Sequence, residues 1–133
     1  MKQLYFQPIK GKSLAIIGAI LQTEDVASVG SAWGIISVVV EKLVLNIVDY
    51  SNSSYLGVDT IRDEKSITLR FHDGGVPFNP LDKEPPDTSQ PMEDREIGGL
   101  GIFLVVNKMD SVEYVYTNGE NVLTVSKSLE MNN

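Results

Sequence analysis

Polar and apolar positions alternate at the start of the chain, with Leu4, Phe6 and Pro8 in one phase and Tyr5 and Gln7 in the other, which is the period of a strand. Pro8 has no N–H to give a ladder, so that strand belongs at an edge or at its own end. The period then changes: a short helix is predicted from Ser13, acting as its cap, to about Gln22, and Thr23-Glu24-Asp25 marks its end or the next start. A longer helix is predicted from about Ser31 to Ser51. Only Glu41, Lys42, Asn46 and Asp49 interrupt its apolar run from Ile35 to Val48, the pattern of a helix buried nearly all round. Its many β-branched residues lower its propensity, and by period alone Ile35 to Val40 also reads as a strand.

Two hairpins follow. Val58 to Arg62 and Ser66 to His72 flank the polar turn Asp63-Glu64-Lys65, and Val112 to Tyr116 and Val122 to Ser126 flank Asn118-Gly119, the pair that most favours a two-residue turn. Between the hairpins Leu100 to Met109 has the length and apolar content of a helix. Trp33 and Phe103 are expected in the core. Alternation points His72 to the opposite face from Asp73, which gives it a structural role. No internal repeat is present.

Asn79 to Ile97 departs from this regularity. It holds four of the six prolines (Pro80, Pro85, Pro86, Pro91) and six acids against two bases, Lys83 and Arg95. Proline blocks both helix and central strand, so the segment is a surface loop, and a connection this long in a compact domain is usually functional or disordered. The loop carries -4 of the formal net charge of -7. The acidity is therefore local to it.

Composition narrows the chemistry. At 133 residues a single domain, 1–133, can bury a core without staples. With no cysteine and one histidine, the chain has no disulfide framework, cysteine-zinc site, iron-sulfur cluster or thiol nucleophile, and no histidine-rich metal site. The acidic balance argues against direct binding of nucleic acid. The N-terminus lacks the apolar region of a secretory signal, and the run Leu14 to Leu21 is far shorter than the ~20 residues of a membrane span. The expectation is a soluble cytoplasmic protein without membrane contact.

The flanks of the loop carry the candidate chemistry. Before it, Asp73-Gly74-Gly75-Val76-Pro77-Phe78-Asn79-Pro80 sets a carboxylate at a strand end beside glycines that permit close approach of a flat ligand. After it, Gly98-Gly99-Leu100-Gly101 opens a helix, whose N–H groups form an anion site. An acid for a base edge, a lid of about residues 79–97 and a phosphate-binding turn together describe a nucleotide pocket.

In this order, a long helix with an asparagine, then DGGVPFNP, the proline-rich loop, REIGGLGIFLVVNKMDSVEY and a hairpin ending NVLTVSK, the sequence resembles the GHKL (Bergerat-fold) ATPases. More narrowly it resembles the anti-sigma-factor serine-protein kinases of bacteria, from about Phe6 to Lys127. The resemblance implies an α+β fold, a two-layer α/β sandwich with helices on one face of a mostly antiparallel sheet. It implies ATP or ADP with Mg²⁺ as cofactors, a sigma factor and a STAS-type anti-sigma antagonist as partners, and a homodimer. By the same resemblance Asp73 accepts from the adenine amine, Gly75 lets the ring lie against the backbone, and Gly98, Gly99, Leu100 and Gly101 meet the phosphates. Asn46 holds Mg²⁺, Asp49 lies one turn further on the same side, and Arg95 is a lid residue near the terminal phosphate or the protein partner.

Lys42 departs from the family pattern. By the resemblance, kinase members carry a glutamate four residues before the asparagine that acts as general base or orients the attacking hydroxyl, and here that position is Lys42, with Glu41 one residue earlier. At about 100° per residue Lys42 lies about 40° from Asn46 and Glu41 about 140° away, so Lys42 takes the catalytic position. A charged lysine cannot accept a serine proton, repels Mg²⁺, and can pair with phosphates. Three readings follow: an ATP-dependent serine-protein kinase that also sequesters a sigma factor; a nucleotide-binding partner-switching module without phosphoryl transfer; and, ranked below both for want of a preceding helical segment with a phospho-accepting histidine, the detached ATPase domain of a histidine kinase. The last strand offers Thr124 or Val122 at a position where family members often contact the adenine region, and neither is assigned that role.

Overall fold

The structure is a computed structural model that describes residues 1–82 and 97–129, with the backbone path alone for residue 82 and residues 97–101. Arg95 and most of the acidic segment lie outside the described residues. Five strands, β1 (Lys2–Phe6), β2 (Leu56–Arg62), β3 (Ser66–Asp73), β4 (Ser111–Thr117) and β5 (Glu120–Ser128), form one sheet in the order β1-β2-β3-β5-β4. Every neighbouring pair is antiparallel. β1 is an edge strand and stops at Phe6, two residues short of Pro8. Asn118 and Gly119 both take left-handed conformations, φ 53° and 79°, which close the β4–β5 hairpin as a primed turn matched to strand twist. At the β2–β3 turn the Asp63 carboxylate accepts from the amides of Lys65 at 2.7 Å and Ser66 at 2.8 Å, and these bonds hold its carboxyl below the usual range.

Four helices, α1 (Ser13–Leu21), α2 (Glu24–Ala27), α3 (Trp33–Tyr50) and α4 (Ile97–Lys108), accompany the sheet. Ile67, Leu69 and Phe71 of β3, Leu56 and Val58 of β2, and Leu123 and Val125 of β5 alternate inward and bury against Ile36, Val39, Val40, Leu43, Val44 and Val48 of α3. Those α3 positions recur at intervals of three and four, one face of a helix. The α+β sandwich expected from the resemblance is therefore observed.

Three local expectations fail. α3 is buried on one face only: Trp33 is 43% exposed, Val38 38%, and Glu41 and Asp49 also face outward, because a two-layer fold has only one sheet to cover each helix. Trp33 is thus not a core residue, and Phe103 is half-buried at the core margin. The stretch Gly30–Tyr50 is long and apolar enough to cross a membrane, with a mean hydropathy of 1.7, yet its inner face forms the core described above. Ser13 is the first helical residue rather than the cap, and Lys12 precedes it with no side-chain capping bond. Burial of Ile16, Ile17 and Ile20 holds α1 instead. Thr23 links two helices, its hydroxyl donating to the Ile20 carbonyl at 2.7 Å and accepting from the Val26 amide at 3.4 Å.

The other sheet face carries His72, opposite in direction to Asp73 as alternation predicts. The imidazole lies over Gly57, where a Cβ would stand 2.2 Å from the ring, so this cross-strand pair needs glycine. His72 Nδ1 is 3.0 Å from Glu120 Oε2, and Nε2 is 3.8 Å from Asp59 Oδ2. The Tyr55 hydroxyl donates to the same Glu120 oxygen. That bond pushes the Tyr55 pKa up to about 12 and, with His72, holds the Glu120 carboxyl below its ordinary value.

Candidate nucleotide site

The C-terminal half of α3 and the ends of β3, β4 and β5 enclose a cavity of about 40 Å³. α3 contributes Leu43, Asn46, Ile47 and Tyr50, again at helical spacing. The strands contribute Phe71, Asp73, Tyr114, Asn121 and Leu123, and the segment after β3 contributes Phe78 and Pro80. The rings of Tyr50 and Phe78 stack at 6.1 Å with an interplanar angle of 13°. This volume holds little more than a water or two, against several hundred Å³ for a ligand pocket, so a purine needs the cavity to widen.

Asp73 is the buried carboxylate of the cavity, 5% exposed. Its Oδ1 accepts from the Gly75 amide at 2.9 Å and from Asn121 Nδ2 at 3.2 Å, while Oδ2 accepts no bond from the described residues. Asn121 Nδ2 also reaches the carbonyls of Val76 at 2.9 Å and Gly75 at 3.4 Å. Asn121 Oδ1 accepts from the Phe78 amide at 2.9 Å and from the Tyr114 hydroxyl. Gly75 also packs against the end of α3, where a Cβ would meet the Ser51 carbonyl oxygen at 2.0 Å.

The structure brings Asn46 and Asp73 to one cavity; Gly75 does not line it and is tied to it through its amide bond to Asp73. Lys42 and Asp49 do not line it: the lining residues centre α3 on Leu43 and Tyr50, so both fall on the flank beyond Asn46, Lys42 half-buried and Asp49 exposed. Gly98, Gly99 and Leu100 lie in the first turn of α4, where backbone N–H groups lack intrahelical partners, and Gly101 opens the second turn. Thr124 and Val122 point to the far sheet face, out of phase with the cavity. Asn121, which the sequence reading missed, is the residue of β5 that meets Asp73, and Tyr114, Tyr50 and Phe78 were missed with it.

Residues 14–127 match the family model described as the histidine kinase-like ATPase domain. The chain belongs to this family. Among solved structures, the histidine kinase AdeS of Acinetobacter baumannii is similar in fold over 98% of this chain and 68% of that one, with a TM-score of 0.56 and 12% identity. A comparison with curated proteins gives no significant match. The GHKL expectation is thereby met, and a domain of this type implies nucleotide binding.

The residues present fit the nucleotide such a domain takes. Asp73 Oδ2 is an acceptor left open in an otherwise saturated cluster. The Asn46 side chain lines the cavity and makes no hydrogen bond with the described residues, so its carbonyl oxygen is available to a Mg²⁺. No group of three or more acidic, histidine or cysteine side chains suited to a metal occurs among the described residues. A single amide suits Mg²⁺, which keeps several waters and is held largely by phosphates.

Proposed function

We propose that this histidine kinase-like ATPase domain is a cytoplasmic, homodimeric anti-sigma regulatory factor that binds ATP with Mg²⁺, engages a sigma factor, and acts on a STAS-type anti-sigma antagonist. The observation that carries the nucleotide reading is the Asp73 carboxylate, buried at the cavity with one oxygen saturated and the other open. In this reading Oδ2 accepts the adenine amine, Asn46 contributes to holding Mg²⁺, and the amides of Gly98, Gly99, Leu100 and Gly101 meet the phosphates. Arg95, from the lid, adds positive charge near the terminal phosphate. Asp49 is an exposed neighbour of this site on α3. Magnesium supplies charge neutralisation between the phosphates.

A second reading rests on Lys42. Transfer of the γ-phosphoryl group to a serine hydroxyl breaks the bond to ADP, forms a new P–O bond and releases the hydroxyl proton. Where the resemblance places a glutamate to take that proton, this chain has an ammonium group that cannot. A positioned base contributes about 10²–10⁴-fold, so its loss favours partner switching gated by nucleotide without transfer. Titrating the protein with ATP and ADP, with and without Mg²⁺, tests both readings. Submillimolar binding that Asp73→Asn weakens supports the site; no binding at millimolar nucleotide sinks both.

A further inference from the structure

The Asn121 amide has no freedom to flip. Two donors, the Phe78 N–H and the Tyr114 O–H, converge on one terminal atom, which must be oxygen. Two carbonyls, of Gly75 and Val76, face the other, which must be nitrogen. With that orientation fixed, Nδ2 is aimed at Asp73 Oδ1, and with the Gly75 amide it fills both lone-pair sites of that oxygen. Of the two carboxylate oxygens only Oδ2 remains.

This has a direct chemical consequence for the base. A carboxylate with both oxygens open matches two parallel donors, the ring N1–H and 2-amino group of guanine. One restricted to a single oxygen matches a single donor, the 6-amino group of adenine, and repels the 6-oxo group of guanine. We propose that Asn121 is the specificity-determining residue of the site, selecting an adenine nucleotide over a guanine nucleotide by occupying the second oxygen of Asp73. The inference rests on the nucleotide reading above and extends it to the residue that sets base choice.

The test compares dissociation constants of ATP, GTP and purine riboside triphosphate, which lacks the 6-amino group. The proteins are wild type, Asn121→Ala, and Asn121→Leu, which keeps the approximate shape but has no donor for Asp73. Wild type is expected to bind ATP about 10- to 100-fold tighter than either analogue, the range of one hydrogen bond to a charged group. In whichever variants remain folded by circular dichroism, the ATP-to-GTP ratio is expected to fall at least about tenfold. If the variants weaken all three nucleotides equally, Asn121 is a strut and the inference fails alone. Equal binding of ATP and GTP by wild type also overturns it alone. Binding of none of the three by wild type overturns the nucleotide reading itself.

Discussion

Gly75→Ala tests the geometry of the site at its tightest point. The new Cβ would stand 2.0 Å from the Ser51 carbonyl oxygen, 2.9 Å from its carbon and 3.0 Å from Asp73 Oδ1. Both closest atoms are backbone at the end of α3 and cannot swing aside, so the loop must retreat by about 1.4 Å to reach ordinary van der Waals contact. Overpacking of this kind costs about 1–3 kcal/mol, and the retreat also breaks the 2.9 Å bond from the Gly75 amide to Asp73, worth about 1.5–3 kcal/mol as a bond to a charged group. The sum, roughly 2.5–6 kcal/mol, is a large share of the 5–15 kcal/mol that stabilises a typical domain. Loss of the Gly75 bond that orients Asp73 should also weaken ATP binding by about 10- to 100-fold. Gly74→Ala is the comparison: its Cβ would meet the Tyr55 ring at 2.8 Å, and a side chain can shift where backbone cannot, so its cost should stay below that of Gly75→Ala, at about 1–2 kcal/mol for straining the Tyr55–Glu120 bond. Urea unfolding of both variants, with ATP titration of the folded proteins, measures these quantities. A Gly75→Ala protein within about 0.5 kcal/mol of wild type, or a Gly74→Ala protein equally damaged, would refute the reasoning.

Three further outcomes are expected. Phe71, 1% exposed at the centre of β3, should cost about 3–5 kcal/mol when truncated to alanine, read as a lower urea midpoint with an unchanged slope. The Tyr55–Glu120 bond should make stability depend on pH at both ends. Because the Glu120 carboxyl is held below its ordinary 4.5, its contribution is full above that value and fades as pH falls beneath it. Because the Tyr55 pKa is raised from 10.0 to about 12, its contribution is full below pH 10 and is lost as pH rises through that interval. Urea midpoints of Glu120→Gln against pH should lose both slopes; retention of either would assign it to another group. In a single-turnover assay with the serine-bearing antagonist, wild type should transfer little phosphate and Lys42→Glu should transfer more. Rapid transfer by wild type would show that no carboxylate is needed at residue 42.

The hairpins were legible because their information is local: Asn118-Gly119 supplies the two left-handed residues its turn demands, and Asp63 supplies the acceptor that closes the other. Asp73 was legible for the same reason, standing at a strand end beside two glycines. Asn121 was not, because its partner lies 48 residues earlier and no local pattern links them. A signal was nevertheless present. Asn121 shares the phase of Leu123 and Val125, so it is a polar residue at an inward position, which burial tolerates only with a partner. The one-sided burial of α3 escaped for a different reason: the count of apolar residues was high, but only their angular distribution tells how many faces the sheet can cover.

The pairing of β3 with β5 sets Asp73 directly against Asn121, so the ligand-binding end of the sheet closes a single chain loop that contains both the acidic segment and α4. Closure entropy grows only as the logarithm of loop length, about 0.6 kcal/mol for each doubling. Lengthening the acidic segment by a few residues therefore costs tenths of a kcal/mol, well below the stability of an ordinary domain. Evolution is left free to rewrite the segment between Pro80 and α4 for new partners while the register that builds the base site stays untouched.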